Sequence, residues 1–443
     1  MKKKIFILLN LIVASIQAQE RIILLNEGLW QADNGRVTYF EDGKVVSNQW
    51  FRDVNGSKLG DTPNDIIQVN EDLIAIAVNW SNLIQFITPE GKAVAATEDV
   101  PNNRKLCTDG RYVYVTSYGH ECETVNGTQY FEKGFVAKID INDFKVKATC
   151  EVGYEPEGIA LYDGYLFVAN TGGYAGQEDH EYETTVSIIN ANSMTVEGNI
   201  DTQVPNLYGK MSQSGQYLCI NSPGDYYEIP ASSLVMDCKK ALKGEDCFVT
   251  LSTPATYNCT TIDGRFLIVG SSFSYIEGGY ADLTYMTIDP GLVIDSKGEQ
   301  GIEEMLPGTL VTDLADMTQP YGIYVNPYTG YIYGTDAGSY DGAGFLYQWT
   351  PQGELMGKHK VYINPGHFLA LAPEGYWDGI ETIHNSQFII HNSSQSAEAA
   401  ERQFLIHNGE SLIYDITGRR INAKSSIPNA QLYIRDGKKI LYK

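Results

Sequence analysis

Past residue 16 the chain has no apolar run long enough to cross a membrane as a helix. Nor has it an excess of positive charge: 32 Lys and Arg stand against 55 Asp and Glu, a formal net charge of −23. Without a basic stripe to neutralise phosphates, nucleic acid is excluded as a partner, and an anionic lipid surface is repelled. Cysteine is sparse and odd in number. Seven (Cys107, Cys122, Cys150, Cys219, Cys238, Cys247 and Cys259) are spread over 443 residues at spacings that match no zinc pattern. Cys238 and Cys247 are close enough to close a small loop; buried free thiols are the equal alternative. Sustained helical periodicity is nearly missing too. No G-x-S-x-G, no H-E-x-x-H and no phosphate loop occurs, so no linear motif announces a reaction.

The one long apolar run lies at the start. Lys2, Lys3 and Lys4 precede the apolar residues 5–16, and Ala18 precedes Gln19. Residues 1–18 read as a secretory signal peptide, removed on export. Loss of its three lysines leaves the mature chain more acidic still. No cysteine precedes Cys107, so a lipid anchor on an N-terminal cysteine is not expected.

What is abundant is Gly (43), Tyr (30) and short apolar runs rich in β-branched and aromatic residues. That is an all-β signature. Seven times a proline opens such a run and a second run follows: Pro63, Pro101, Pro156, Pro205, Pro254, Pro320 and Pro365. The clearest copy reads PEGIA from Pro156, then GYLFVAN from Gly164, then TVSII from Thr185. Units of about 40–55 residues holding four short strands are blades of a β-propeller, each needing neighbours to cover its faces. The copy at Pro365 supplies only an innermost strand. The N-terminal runs 22–26, 36–40 and 44–48 supply the other three, so seven blades close into a ring. The expected architecture is all-β: a seven-bladed propeller over residues 21–373, a polar linker over 374–400, and a small β-sandwich-like domain over 401–443.

Long loops rich in Gly, Tyr, Ser, Asn and Asp join the second and third strands, while opposite-face turns such as Asn142-Asp143 are short. Binding residues concentrate on loops carried by a rigid scaffold. The candidate ligand-binding residues on that face are Trp30, Trp80, Tyr118, Tyr174, Tyr226, Tyr275 and Tyr340. Each offers a ring at low entropic cost. Nearer the axis, at the openings of the first strands, stand Arg104, Tyr321 and His367. His367 is the only histidine there and has no evident partner in sequence. Asp65, Glu157 and Asn206 supply carboxylate and amide oxygens of the kind a calcium ion takes; a solvated polar channel mouth without metal is the alternative. No catalytic residue is assigned.

Two stretches resemble known families. The tail segments IYDITGRRI (residues 413–421) and LYIRDGKKI (residues 432–440) resemble the C-terminal sorting domain of type IX secretion in Bacteroidetes, with its YD-x-x-GR strand and a later strand ending in GKK. Ala430-Gln431 depart from that pattern, which usually has a glycine. The resemblance implies passage across the outer membrane by the type IX machinery, then release or attachment at the cell surface. The runs PEGIA and LFVAN (156–170), YVYVTSYG (112–119) and LNEG (25–28) resemble the YncE-like seven-bladed propellers. Within them the likeness leans to the Bacteroidetes surface group of BtuG type, which implies cobalamin as a ligand and an outer-membrane protein as a partner. The chain departs from that group in lacking a lipid anchor and carrying a sorting tail. The expectation is an exported, non-catalytic, monomeric binding propeller at the cell surface, with a corrinoid as one ligand. The alternatives are a lactonase-like hydrolase using a metal at Asp65 and Glu157, and a protein-interaction scaffold.

Overall fold

A computed structural model describes residues 20–119, 133–173, 181–252, 256–270, 273–276, 279–280, 283–373 and 376, with the backbone of four short strands between 413 and 442. Contacts divide the chain into two compact units, residues 1–371 and 372–443.

The first unit consists chiefly of seven four-stranded antiparallel sheets. Blade 1 runs from Pro63–Asn70 to Ala93–Thr97, and blade 2 from Asn103–Thr108 to Lys145–Tyr154. Blades 3 and 4 open with Pro156–Tyr162 and Tyr208–Ser214, blades 5 and 6 with Tyr257–Thr260 and Pro320–Val325. In blade 7 the strands Lys44–Ser47, Arg36–Glu41 and Arg21–Asn26 lead inward to Pro365–Ala370. Leu24 faces Phe368, and Ile22 faces Ala370. The innermost strands touch their neighbours in sequence order, and that of blade 7 touches those of blades 6 and 1. The ring closes as the N-terminal runs predict, and the propeller has seven blades.

Strands covered on both faces read as continuous apolar runs, and here they are. Leu73–Val78 is buried at every position, as is Ile22 through Leu25. Apolar clusters lie between neighbouring blades: Phe167 of blade 3 packs with Leu218 and Leu234 of blade 4, and Phe40 of blade 7 packs with Tyr333 of blade 6. Among the described residues four short helices interrupt the all-β pattern, at Trp50–Asn55, Cys238–Ala241, Pro290–Asp295 and Leu310–Ala315. Each is too short for the 3.6-residue period to show in sequence. The last two lie in the longest repeat interval, where the outer strand of blade 5 shrinks to Ile302–Glu303.

The repeat prolines have a packing partner that the sequence did not reveal. A Cβ placed on Gly35, Gly134 or Gly344 would lie 2.4, 2.2 or 2.8 Å from Cδ of Pro63, Pro156 or Pro365, the proline that opens the next blade. Gly134 would also meet the Ser117 carbonyl oxygen at 2.4 Å. Gly134→Ala should therefore force backbone movement and cost about 1–3 kcal/mol, read as a lowered thermal midpoint. An unchanged midpoint would refute the close approach.

Six of the seven cysteines lie in described residues, and all six are free thiols. Cys238 and Cys247 belong to one core cluster without bonding. Burial pushes the Cys247 thiol up to about 11, which makes it inert rather than reactive. In the second unit two strand pairs are described, Ile413–Tyr414 with Arg420–Ile421 and Gln431–Arg435 with Lys438–Tyr442. Of the expected linker over 374–400 only Tyr376 is described, and residues 401–412 lie outside the described residues.

Candidate functional site

Six of the seven innermost strands slip register by one or two residues near their proline-side end. The gaps fall at Asn64, Arg104-Lys105, Glu157-Gly158, Gly209-Lys210-Met211, Tyr321 and Gly366. A bulge frees its extra residue from the ladder and re-aims the side chain. Here the bulged positions carry Arg104, Lys105, Glu157, Lys210 and Tyr321, with Asp65, Tyr208 and His367 directly beside them. Blade 5, whose first strand pairs without a slip, contributes Tyr257 and Asn258.

These side chains surround a cavity of about 770 Å³ on the axis. Trp30 and Trp80 stand at its rim, edge to face, with ring centres 5.0 Å apart at 74°. Tyr208, Tyr257 and Tyr321 continue the aromatic wall. Three polar groups cross the interior. In the first, Arg104 of blade 2 grips Glu157 of blade 3 through Nε (2.7 Å) and Nη2 (3.1 Å), and Nη2 also donates to the Tyr208 hydroxyl at 3.2 Å. Tyr118 donates to the same carboxylate at 2.9 Å, and its ring lies 4.8 Å beneath the guanidinium. In the second, Lys210 of blade 4 reaches across the channel to Asp65 of blade 1, 2.7 Å away, while the Leu106 amide donates to the other Asp65 oxygen at 2.9 Å. Lys105 lies between them, donating to the Asn64 carbonyl oxygen at 2.8 Å with Glu157 at 3.6 Å.

The third group joins residues 340 positions apart: His367 Nε2 donates to Glu27 at 2.8 Å, and the Tyr321 hydroxyl donates to the other Glu27 oxygen at 2.8 Å. The histidine without an evident partner in sequence thus has one in the fold. Burial first, and the Lys105 ammonium second, hold its imidazole below the ordinary 6.5, so the ring is neutral as the Nε2–H tautomer. Burial by itself would raise the Glu27 carboxyl; the His367 and Tyr321 contacts outweigh it and hold it low. Asp65 and Glu157 follow the same logic. Burial pushes each up, and Lys210 or Arg104, with Lys105, brings each below the usual carboxylate range.

The structure sorts the sequence candidates into groups. Trp30, Trp80, Arg104, Tyr321 and His367 line the cavity. Tyr118 is buried beneath Arg104 and braces it instead of facing a ligand. Tyr340 lies edge-on against Tyr321, ring centres 5.8 Å apart. Tyr275 is stacked on Tyr227 at 5.1 Å, away from the cavity lining, and Tyr226 is outside that lining too. Tyr174 lies outside the described residues. The three residues read as calcium ligands do not converge on a cation. Asp65 and Glu157 are neutralised by Lys210 and Arg104, and the Asn206 amide donates to the Gly224 carbonyl oxygen at 2.9 Å. No group of three or more metal-ligating acidic, His or Cys side chains occurs among the described residues. Lys105, Lys210, Tyr208 and Glu27 were missed, because only the ring brings blades 2, 4 and 7 to one axis.

No protein-family model matches the chain, and no curated protein does. Solved structures do. The chain is similar to a hydrazine synthase of Kuenenia stuttgartiensis, with a TM-score of 0.50 and 13% identity over 69% of this chain and 88% of that one. It is also similar to a functionally unknown protein from Desulfotomaculum acetoxidans DSM 771, with a TM-score of 0.50 and 11% identity over 80% of this chain and 99% of that one. Likeness at such identity speaks for the propeller fold alone.

Proposed function

We propose that the chain is an exported, non-catalytic β-propeller that captures a small molecule at the mouth of its central channel. The observation that carries this reading is the 770 Å³ cavity on the axis, of the size that encloses a drug-sized ligand. Its rim offers ring faces, and its interior offers charges fixed by buried partners, which is what holding and orienting a ligand requires. The carboxylates that a channel-mouth hydrolase would use for a metal are engaged by cations, which favours capture over catalysis. In this reading residues 1–18 direct export and the 401–443 tail takes the chain through the outer membrane by the type IX route. The propeller then presents its cavity to the medium or to an outer-membrane partner.

Following the family resemblance, a corrinoid is the first ligand to try. The mature chain is titrated with cyanocobalamin by calorimetry, then incubated with low-mass extracts, and retained compounds are read by mass spectrometry. Trp30 is 61% exposed, so Trp30→Ala leaves the fold intact. It should weaken binding about tenfold, the loss of one ring contact at about 1.4 kcal/mol. No heat with cyanocobalamin removes the corrinoid. No compound retained above the Trp30→Ala background removes the capture reading altogether.

A further inference from the structure

We propose that Arg104 and Lys210, in the wall of the cavity, receive a carboxylate group of the captured ligand. The inference rests on the capture reading above and adds the ligand's charge to it. The charged groups around them are Arg104, Lys105 and Lys210 against Asp65, Glu157 and Glu27, with His367 neutral beside them. The charges balance in number, but they are not equally placed. Asp65 is 0% and Glu157 1% exposed, whereas Lys210 is 48% and Arg104 13% exposed. The carboxylates sit behind; the cations face the space.

Both cations also keep donors in hand. The Arg104 guanidinium spends Nε and Nη2 on Glu157 and Tyr208, and among the described residues nothing accepts from Nη1. Lys210 has three N–H groups, and Asp65 accepts one of them. Tyr208 and Lys210 are two residues apart on one bulged strand, and the Tyr208 hydroxyl meets Arg104, so the two cations flank the same stretch of lumen. Arg104 is held on three sides, by Glu157, Tyr208 and the Tyr118 ring, so little side-chain freedom is lost when an acceptor arrives. Charge-assisted hydrogen bonds to a carboxylate are about twice as strong as those to a neutral carbonyl. This pair of cations therefore selects the anion, in a protein whose net charge is otherwise strongly acidic. With Trp30 and Trp80 at the rim, the ligand class is a carboxylate carried on a ring system.

The test uses matched pairs on the mature chain: benzoate against benzamide, and indole-3-acetate against indole-3-acetamide, by calorimetry and thermal shift at millimolar concentration. The expected result is saturable binding of the carboxylate, about tenfold or more tighter than its amide. Lys210→Met should erase that preference and Lys210→Arg should keep it, with the thermal transition of each variant confirming its fold. Equal binding of acid and amide, an undiminished preference in Lys210→Met, or no response to either acid overturns the proposal. A neutral compound retained in the capture experiment and lost in Trp30→Ala overturns this inference alone. Retention of nothing there takes both readings down.

Discussion

A chain ended after Asn364 is expected to lose its cooperative unfolding transition, while one ended after Leu371 keeps it. The seven residues between them include the whole innermost strand of blade 7. Without it, Ile22, Ile23, Leu24 and Leu25, all 0% exposed, lose the strand that pairs with them, and an open sheet edge appears. Phe368, Ala370 and Leu371 are buried and Leu369 packs against the core. Their apolar burial alone is worth on the order of 5 kcal/mol. That is comparable to the whole net stability of an ordinary domain, so the deficit is not absorbed locally. The measurement is thermal or urea unfolding followed by two probes. Coincident, unshifted transitions in both truncated chains would mean that the ring does not depend on this closure.

Glu157→Ala should destabilise the propeller by about 3–5 kcal/mol, because it strands the Arg104 guanidinium and the Lys105 ammonium away from water. Arg104→Met combined with Glu157→Met should recover much of that loss, since an apolar pair of similar volume leaves no unpaired charge but Lys105, which still has Asp65 nearby. A double-mutant cycle reads the coupling directly. The same residues set the acid limb of stability. Glu157 and Asp65 titrate ordinarily at 4.5 and 3.8 and are held below those values in the fold. Below them the unfolded chain binds more protons than the native one, so stability falls as pH drops from the ordinary values through the lower folded ones. His367, held below 6.5, starts the same loss at milder acidity. Unfolding free energy should therefore decline from about pH 6.5 and more steeply below about 4.5. Glu157→Gln should flatten the steeper part while leaving the first. A variant as acid-sensitive as the parent would show that Glu157 is not held low.

Much of the ring was legible from residues alone. The copy at Pro156 reads PEGIA, then GYLFVAN from Gly164, then TVSII from Thr185, and the fold has strands there at Pro156–Tyr162, Tyr165–Asn170 and Thr185–Asn190. Short apolar runs repeat because each blade buries both faces, and that constraint acts on every unit alike. The short helices escaped because six residues give fewer than two turns of pattern, as at Leu310–Ala315. The site was legible only in part. Trp30, Trp80, Arg104, Tyr321 and His367, drawn from long loops and strand openings, line one cavity. Tyr118, drawn from the same loop signal, turned inward to hold Glu157.

The residues by themselves determined seven units, an all-β fold, and a blade completed from both ends of the propeller, since apolar periodicity and repeat spacing are local properties that any stretch displays. The tertiary structure decided which charges meet. Lys210 and Asp65 are 145 positions apart, Glu27 and His367 are 340 apart, and their pairing depends on ring closure together with one- or two-residue slips in strand register. A slip of that size re-aims a side chain without altering composition or period. Two carboxylates that suit a metal by type therefore became, in the fold, the buried anchors of two cations.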